Sequence, residues 1–366
     1  MGGATTIRVH YPAGTHKLTM RGAAGGLSWT QGATMASGAS DTWTWTSTTL
    51  TGVSEYKPLL DDATWALGPN YHVTAGSTLD IYPHFTTTVG TVSKLLTNFK
   101  STNLPNSTRN IWVYQPPTYL ENTRAALPVV YMHDGQNLFD PALAFGGNPW
   151  MANAAIDSAA NTGTCATGSA CMNDGDCGGS SCQTFREALI IGVENDADRI
   201  PEYTPVADPG YGGGNGDAYL KMLRDELKPK VDAMLRTLPG PADTAMVGSS
   251  LGGLITAYAG TTQSGTWGLL GVMSPSTWWD STIIITDVKN SAAEKPRLVR
   301  VYVDSGDAGT DNDDYMNTAK LSMTYQANGY TIGKDLDYVL QHGGQHNEIY
   351  WAQRLPGALA FLLGPR

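Results

Sequence analysis

Residues 248–252 read Gly248-Ser249-Ser250-Leu251-Gly252, a G-x-S-x-G pentapeptide set between two apolar segments. Thr244-Ala245-Met246-Val247 before it suits a short buried strand, and Leu254-Ile255-Thr256-Ala257-Tyr258-Ala259 after it suits a helix packed on a sheet. A strand that turns straight into a helix leaves little room for side chains. Glycines two positions to either side of Ser250 let the two backbones approach without a Cβ clash. Such a turn holds the serine in a strained conformation with its hydroxyl exposed. Small Gly/Ser clusters also mark ordinary turns, so the downstream partners decide what this one is.

The chain around the pentapeptide alternates. Strand-like runs occupy 111–114, 128–132, 188–193, 244–247, 269–273, 298–303 and 336–340. Between them, Leu220, Leu223, Leu227, Val231 and Leu235 follow helical spacing and predict a helix over 217–235, kinked at Pro229. The glycine-rich stretch 210–216 lacks G-x-G-x-x-G spacing and reads as a loop. Alternation of this kind predicts an α/β fold with a mostly parallel sheet covered by helices. The first 90 residues differ. Short alternating runs at 6–11, 16–20, 42–46 and 79–82, separated by Gly, Ala and Ser turns, predict a small all-β sandwich. With 86–91 as connector, two domains are expected, 1–90 and 91–366.

Among 366 residues the formal net charge is −10 and no Lys/Arg block occurs, which argues against nucleic acid or an anionic membrane as partner. Nor is there an apolar run of about 18 residues, so no span of a bilayer is expected. All four cysteines, Cys165, Cys171, Cys177 and Cys182, fall in a polar insertion at 161–184. They lack C-x-x-C spacing and a neighbouring histidine, so disulfides are expected rather than zinc, with three pairings open. Asn173, Asp174 and Asp176 in that insertion read as a solvated turn rather than a calcium site. No metal is assigned. Disulfides imply an oxidising compartment. The expectation is therefore a secreted or periplasmic protein whose signal peptide is absent from this chain.

A serine hydroxyl needs a base within hydrogen-bond reach, and the base needs an orienting acid. Two loops after later strands offer both. The run 304–314 carries Asp307, Asp311 and Asp313, of which Asp311 is favoured as the acid. The run 341–348 carries His342 and His346. His346, beyond two glycines and before a helix-like segment, is the expected base, and His342 a structural hydrogen-bonder. Each loop follows the carboxyl end of a strand, where an open α/β sheet builds its site. Backbone N–H groups of Leu251, directly after the serine, and of Gln136, in the loop after 128–132, are the expected oxyanion donors.

These residues resemble the esterase D-like (putative esterase) family of α/β-hydrolases. The matching segments are Val129-Val130-Tyr131-Met132-His133-Asp134-Gly135, Arg199-Ile200-Pro201-Glu202-Tyr203-Thr204-Pro205, the run 247–254, Met273-Ser274-Pro275-Ser276-Thr277-Trp278-Trp279, and the run 346–354. The resemblance implies an α/β-hydrolase fold with Ser250 as nucleophile and His346 as base, and the cysteine insertion is not part of the family pattern. The first domain, notably at 56–65, resembles an immunoglobulin-like, starch-binding type of carbohydrate module. Trp29, Trp43, Trp45 and Trp65 are its candidate sugar faces; Trp43 and Trp45 share a strand face and also suit a core. The bland reading of this domain is a packing module that shapes the acyl-site entrance.

The expected function is serine carboxylesterase action on feruloyl- or acetyl-type esters, carbohydrate-linked, through an acyl-enzyme. No cofactor is needed. The partner is a small-molecule or polysaccharide ester, and Trp278 and Trp279 are candidate walls of an acyl pocket. The alternatives are an enterochelin-type siderophore esterase, for which Arg199 and Arg354 are the available cations, and a non-catalytic carbohydrate-binding protein.

Overall fold

A computed structural model describes residues 3–293 and 297–365. The carboxyl-terminal part is built on one eight-stranded sheet. In chain order its strands are β1 (Thr91–Lys100), β2 (Thr108–Gln115), β3 (Val129–His133), β4 (Leu189–Val193), β5 (Thr244–Ser250), β6 (Leu269–Pro275), β7 (Arg300–Gly306) and β8 (Leu336–Gln341). Their spatial order is β1-β2-β4-β3-β5-β6-β7-β8. From β4 through β8 every neighbouring pair is parallel, while β2 is antiparallel to both its neighbours. This is the α/β-hydrolase architecture that the resemblance implied, a mostly parallel sheet with the G-x-S-x-G turn at the carboxyl end of its central strand β5.

The sequence explains the layering. Strands β3, β4 and β6 are buried along their whole length, as continuous apolar runs covered on both faces must be. Alternate residues of β3 divide between two cores. Val129 and Tyr131 join the larger cluster, with Leu254, Ile255 and Trp267, and Val130 and Met132 join the second, with Trp351, Leu355 and Leu359. Helices Leu251–Thr262, Trp279–Asn290 and Tyr315–Ala327 cover one face, and Ala152–Asn161 and Glu348–Leu363 the other. Strand β1 is different. It is mostly exposed and carries two register shifts, the bulged edge by which sheets discourage further pairing. Its lack of an apolar pattern is why the sequence shows no strand there.

The expected helix over 217–235 is present but not simply kinked. A π-helical stretch, Met222–Leu227, joins the α-helical Gly216–Lys221 to Lys228–Met234. Pro229 lacks an N–H and its ring crowds the carbonyl four residues earlier; a widened turn just before it relieves both. The glycine-rich stretch also holds more order than a loop, because Ala207–Asp208 and Gly212–Gly213 pair as a short hairpin.

The amino-terminal part forms two sheets over one core. One sheet includes Thr5–His10, Thr42–Ser47 and Thr78–Ile81, and the other Leu18–Gly22, Val53–Leu60 and Tyr71–Thr74. Ile7, Val9 and Trp45 from the first meet Leu18, Met20 and Tyr56 from the second. Trp45 is core and Trp43 packs against it, its indole N–H donating to the Tyr11 carbonyl at 3.3 Å. Trp29 and Trp65 remain at the surface with ring centroids 6.2 Å apart.

This sandwich packs against the residues that follow β2. Glu121 accepts hydrogen bonds from the backbone N–H of Phe85 (2.6 Å), Thr86 (2.9 Å) and Thr87 (2.8 Å), and from the Tyr11 hydroxyl (2.9 Å). Asn122 Nδ2 donates to the carbonyls of His10 and Pro83. Because β2 runs antiparallel to β4, its carboxyl end lies beside the amino ends of the parallel strands. The sandwich is therefore seated at the end of the sheet opposite to Ser250, which corrects the reading of it as a packing module that shapes the acyl-site entrance.

Candidate active site

Ser250 closes β5 with φ 58° and ψ −125°, a combination that side chains other than glycine rarely adopt. The cost of about 1–3 kcal/mol persists because the surroundings fix the turn. A Cβ on Gly248 would stand 2.6 Å from His133 Cδ2 and 2.7 Å from the Gly252 carbonyl carbon, so this position tolerates no side chain. His133 is fully buried and bonded to the Tyr219 hydroxyl at 2.8 Å. Burial, outweighing the Asp134 charge, pushes its pKa down to about 4, which keeps it neutral under the elbow.

The three candidate aspartates part company after β7. Asp307 accepts from His342 Nδ1 at 2.6 Å and from the Gly343 N–H at 2.7 Å, tying the two loops together at the surface. Asp311 is exposed and meets neither histidine. The carboxylate that reaches His346 is Asp313, whose Oδ1 lies 2.5 Å from Nδ1. This corrects the preference for Asp311. The physical reason is a turn that sequence spacing does not reveal: Asn312, Asp313 and Asp314 all take left-handed φ values of 48–50°, and the second of them is swung inward. A Cβ on Gly306 would collide with the Gly344 carbonyl, so the acid and histidine loops cross in contact.

Asp313 is buried and fully engaged. Its Oδ2 accepts from Ser274 Oγ at 2.6 Å and from the Gly306 N–H. Burial alone would raise its pKa, but the bonds from His346, Ser274 and Gly306 win and hold it below the usual carboxylate value. Behind it, Arg354 Nη2 donates to the same Ser274 hydroxyl at 2.7 Å, and its Nε stands 2.9 Å from Asp304. Burial raises the pKa of Asp304 despite that arginine. Arg199 likewise spends its charge on buried Asp134, in two bonds of 2.8 Å. Both cations suggested for an anionic substrate are thus committed to internal carboxylates.

Ser250, Asp313 and His346 line one cleft of about 760 Å³, with Tyr211, Ser276, Trp278, Thr310, Asp311 and Asp314 among the other walls. The side chain of His346 is 41% exposed there. The Ser250 hydroxyl bonds Ser276 Oγ at 3.4 Å rather than the imidazole; a base need not already be bonded to its nucleophile to be a candidate. Leu251 begins helix Leu251–Thr262, so its N–H belongs to a first turn without intrahelical acceptors. Gln136 sits in the one-turn helix Gly135–Asn137 that follows β3, its side-chain oxygen accepting from the Asn195 N–H at 3.3 Å.

The tryptophans separate. Trp278 is 41% exposed and lines the cleft, whereas Trp279 is 1% exposed and donates its indole N–H to the Val206 carbonyl at 2.9 Å. Trp279 is core, which corrects its reading as a pocket wall: an indole so buried, with its donor used, offers a substrate nothing. The wall that sequence reasoning missed is Tyr211, at the tip of the glycine hairpin, edge-on to Trp278 with centroids 5.4 Å apart. An aromatic isolated among glycines was the available signal. Cys165–Cys177 and Cys171–Cys182 are disulfides, one of the three pairings left open. Among the described residues, no helix is long and apolar enough to cross a membrane.

Comparisons with known proteins bear on the family and the fold. Uncharacterized protein YbbA of Bacillus subtilis (strain 168) is 23% identical over 268 residues, covering 70% of this chain and 93% of its own. A structure described as a ferulic acid esterase is 18% identical with a TM-score of 0.52, over 75% of this chain and 98% of its own. A structure described as the enterobactin esterase FES from Shigella flexneri is 13% identical with a TM-score of 0.50, over 98% of this chain and 92% of its own. These structural likenesses show the fold. The family model described as Putative esterase matches residues 101–362, from before β2 to the last helix, and the chain belongs to that family.

Proposed function

We propose that this carboxylesterase works through Ser250, His346 and Asp313, and that its substrates are feruloyl- or acetyl-type esters of carbohydrate. The observation that carries the reading is the meeting, in one cleft, of a serine held in a strained elbow and an imidazole bonded to a buried carboxylate. His346 Nε2 takes the proton as Ser250 Oγ attacks the ester carbonyl carbon. Asp313, accepting from Nδ1–H, fixes the tautomer that leaves Nε2 free to act as base and stabilises the imidazolium. N–H groups of Leu251 and Gln136 receive the negative oxygen. The intermediate collapses, the alcohol leaves with the proton from Nε2, and water repeats the sequence on the acyl-serine.

Within the cleft, Tyr211 and Trp278 supply an aromatic wall suited to a ring on the acyl side. Among the described residues that line the cleft none is Lys or Arg, and three are aspartates. That charge favours a neutral ester over an anionic siderophore. Two disulfides suit an oxidising compartment, and we place the protein outside the cytoplasm. A panel of methyl ferulate, acetylated xylan, short p-nitrophenyl esters and enterobactin tests the reading. The highest kcat/KM is expected on the ferulate or the acetylated sugar, and preference for enterobactin would overturn the assignment.

A further inference from the structure

At the sandwich end of the molecule stands an imidazole that ester hydrolysis does not use. His72 lies directly opposite Glu55 in the antiparallel pairing of Val53–Leu60 with Tyr71–Thr74, so both side chains project from one face. The disulfide-tied insertion brings a third group to the same point. Asp174 stands with Oδ1 and Oδ2 at 3.0 and 3.1 Å from His72 Nε2. One donor atom from each of Glu55, His72 and Asp174 lies within 4.8 Å of the others.

We propose that Glu55, His72 and Asp174 form a binding site for a divalent cation of the zinc class, which fastens the cysteine insertion to the sandwich. Two carboxylates face each other here, and among the described residues neither has Lys or Arg within ion-pair distance. A divalent ion supplies the missing charge. One imidazole nitrogen and two carboxylate oxygens are a zinc donor set, with bond lengths of about 2.0–2.2 Å and water as the fourth ligand. Around such an ion, donors stand roughly 3.3 Å apart, close to the His72–Asp174 separations. The imidazole argues against calcium, which takes 6–8 oxygens.

The carboxylates are also held from behind. Glu55 Oε1 accepts from the Asp174 N–H at 2.9 Å and from Asn70 Nδ2 at 3.2 Å, and Asp174 Oδ1 accepts from the Cys182 N–H at 2.8 Å. Outer donors of this kind orient ligating oxygens. Asp174 opens a short turn whose cap, Asn173, is locked by a reciprocal bond with Asp176. A β-ladder on one side and a cross-linked turn on the other keep the three groups in register. This cluster is separate from the disulfide sulfurs, whose thiols are already oxidised.

The test uses the full chain, stripped with EDTA and titrated with ZnSO4 by calorimetry and thermal melting. One equivalent should bind and raise the Tm. His72→Ala and, separately, Glu55→Gln should weaken binding at least about tenfold, with ester turnover unchanged. His16→Ala should leave the affinity unaltered, since His16 pairs with Asp61 elsewhere. If His72→Ala fails to fold, Glu55→Gln decides alone. Absence of binding to the wild-type chain, equal affinity in the variants, or a response to CaCl2 in place of zinc would overturn the proposal.

Discussion

Replacing Asp313 by Asn probes the site with almost no change in shape. The carboxylate serves three donors: His346 Nδ1 at one oxygen, Ser274 Oγ and the Gly306 N–H at the other. An amide has a single acceptor oxygen. With two donors facing Oδ2 and one facing Oδ1, the amide oxygen stays with Ser274 and Gly306, and its NH₂ turns toward His346. That NH₂ donates, so the imidazole must accept at Nδ1 and carry its proton on Nε2, the wrong tautomer for a base. The expected loss is about 10⁴-fold in kcat, equivalent to roughly 5.5 kcal/mol. Loss of a charge-assisted bond in a buried site should also cost about 1–3 kcal/mol of stability. Asp311→Asn, at an exposed cleft position whose carboxylate meets neither histidine, should lower kcat far less than Asp313→Asn does. Steady-state kinetics on methyl ferulate, with thermal melts of both variants, measures this. A fully folded Asp313→Asn enzyme retaining a tenth of its turnover, or an equal loss at Asp311, would refute the reasoning.

Three further expectations follow from other parts of the molecule. Burial would raise the Glu121 carboxyl, but bonds from Thr86, Thr87 and Phe85 lower it from 4.5 to about 2. Its contribution is thus present above pH 4.5 and lost as pH falls toward 2. The difference corresponds to roughly 3 kcal/mol if buried, and to ~1–2 kcal/mol after screening of a half-exposed group. Glu121→Gln should lower the Tm at pH 7 and flatten its decline between pH 4.5 and 2; an unchanged decline contradicts the clamp. Tyr211→Ala or Trp278→Ala should raise KM for methyl ferulate about 3–10-fold, the worth of one aromatic contact, while acetate release from acetylated xylan stays within about twofold. Equal effects on both substrates would remove the aryl wall. Each disulfide closes a loop with a sequence separation of 11 or 12 residues and contributes about 2–3 kcal/mol. Reduction should therefore lower the Tm by several degrees, and free thiols without such a shift would contradict that.

Much of this was legible from residue order. The elbow, the later strands and the histidine loop announce themselves because parallel strands buried on both faces are apolar runs, and because glycine marks the places where backbones cross. Asp313 was not distinguishable from its neighbours. A turn of three successive left-handed residues decides which aspartate points inward, and no periodicity encodes it. Trp279 proved to be core and Tyr211 a cleft wall for a similar reason: adjacent aromatics at a helix start face opposite ways, and a tyrosine among glycines looks like part of a loop. Edge strand β1 was silent since an exposed strand has no apolar face to show. The position of the sandwich, set by the direction of β2, is a property of topology and lies beyond local pattern.

The most direct trial of the account is to trap the nucleophile. Treated with a fluorophosphonate and followed by intact-mass and peptide mass spectrometry, the enzyme should gain one adduct per chain, on Ser250. Ser250→Ala should gain none and hydrolyse no ester. An adduct on another residue, or esterase turnover surviving in Ser250→Ala, would contradict it.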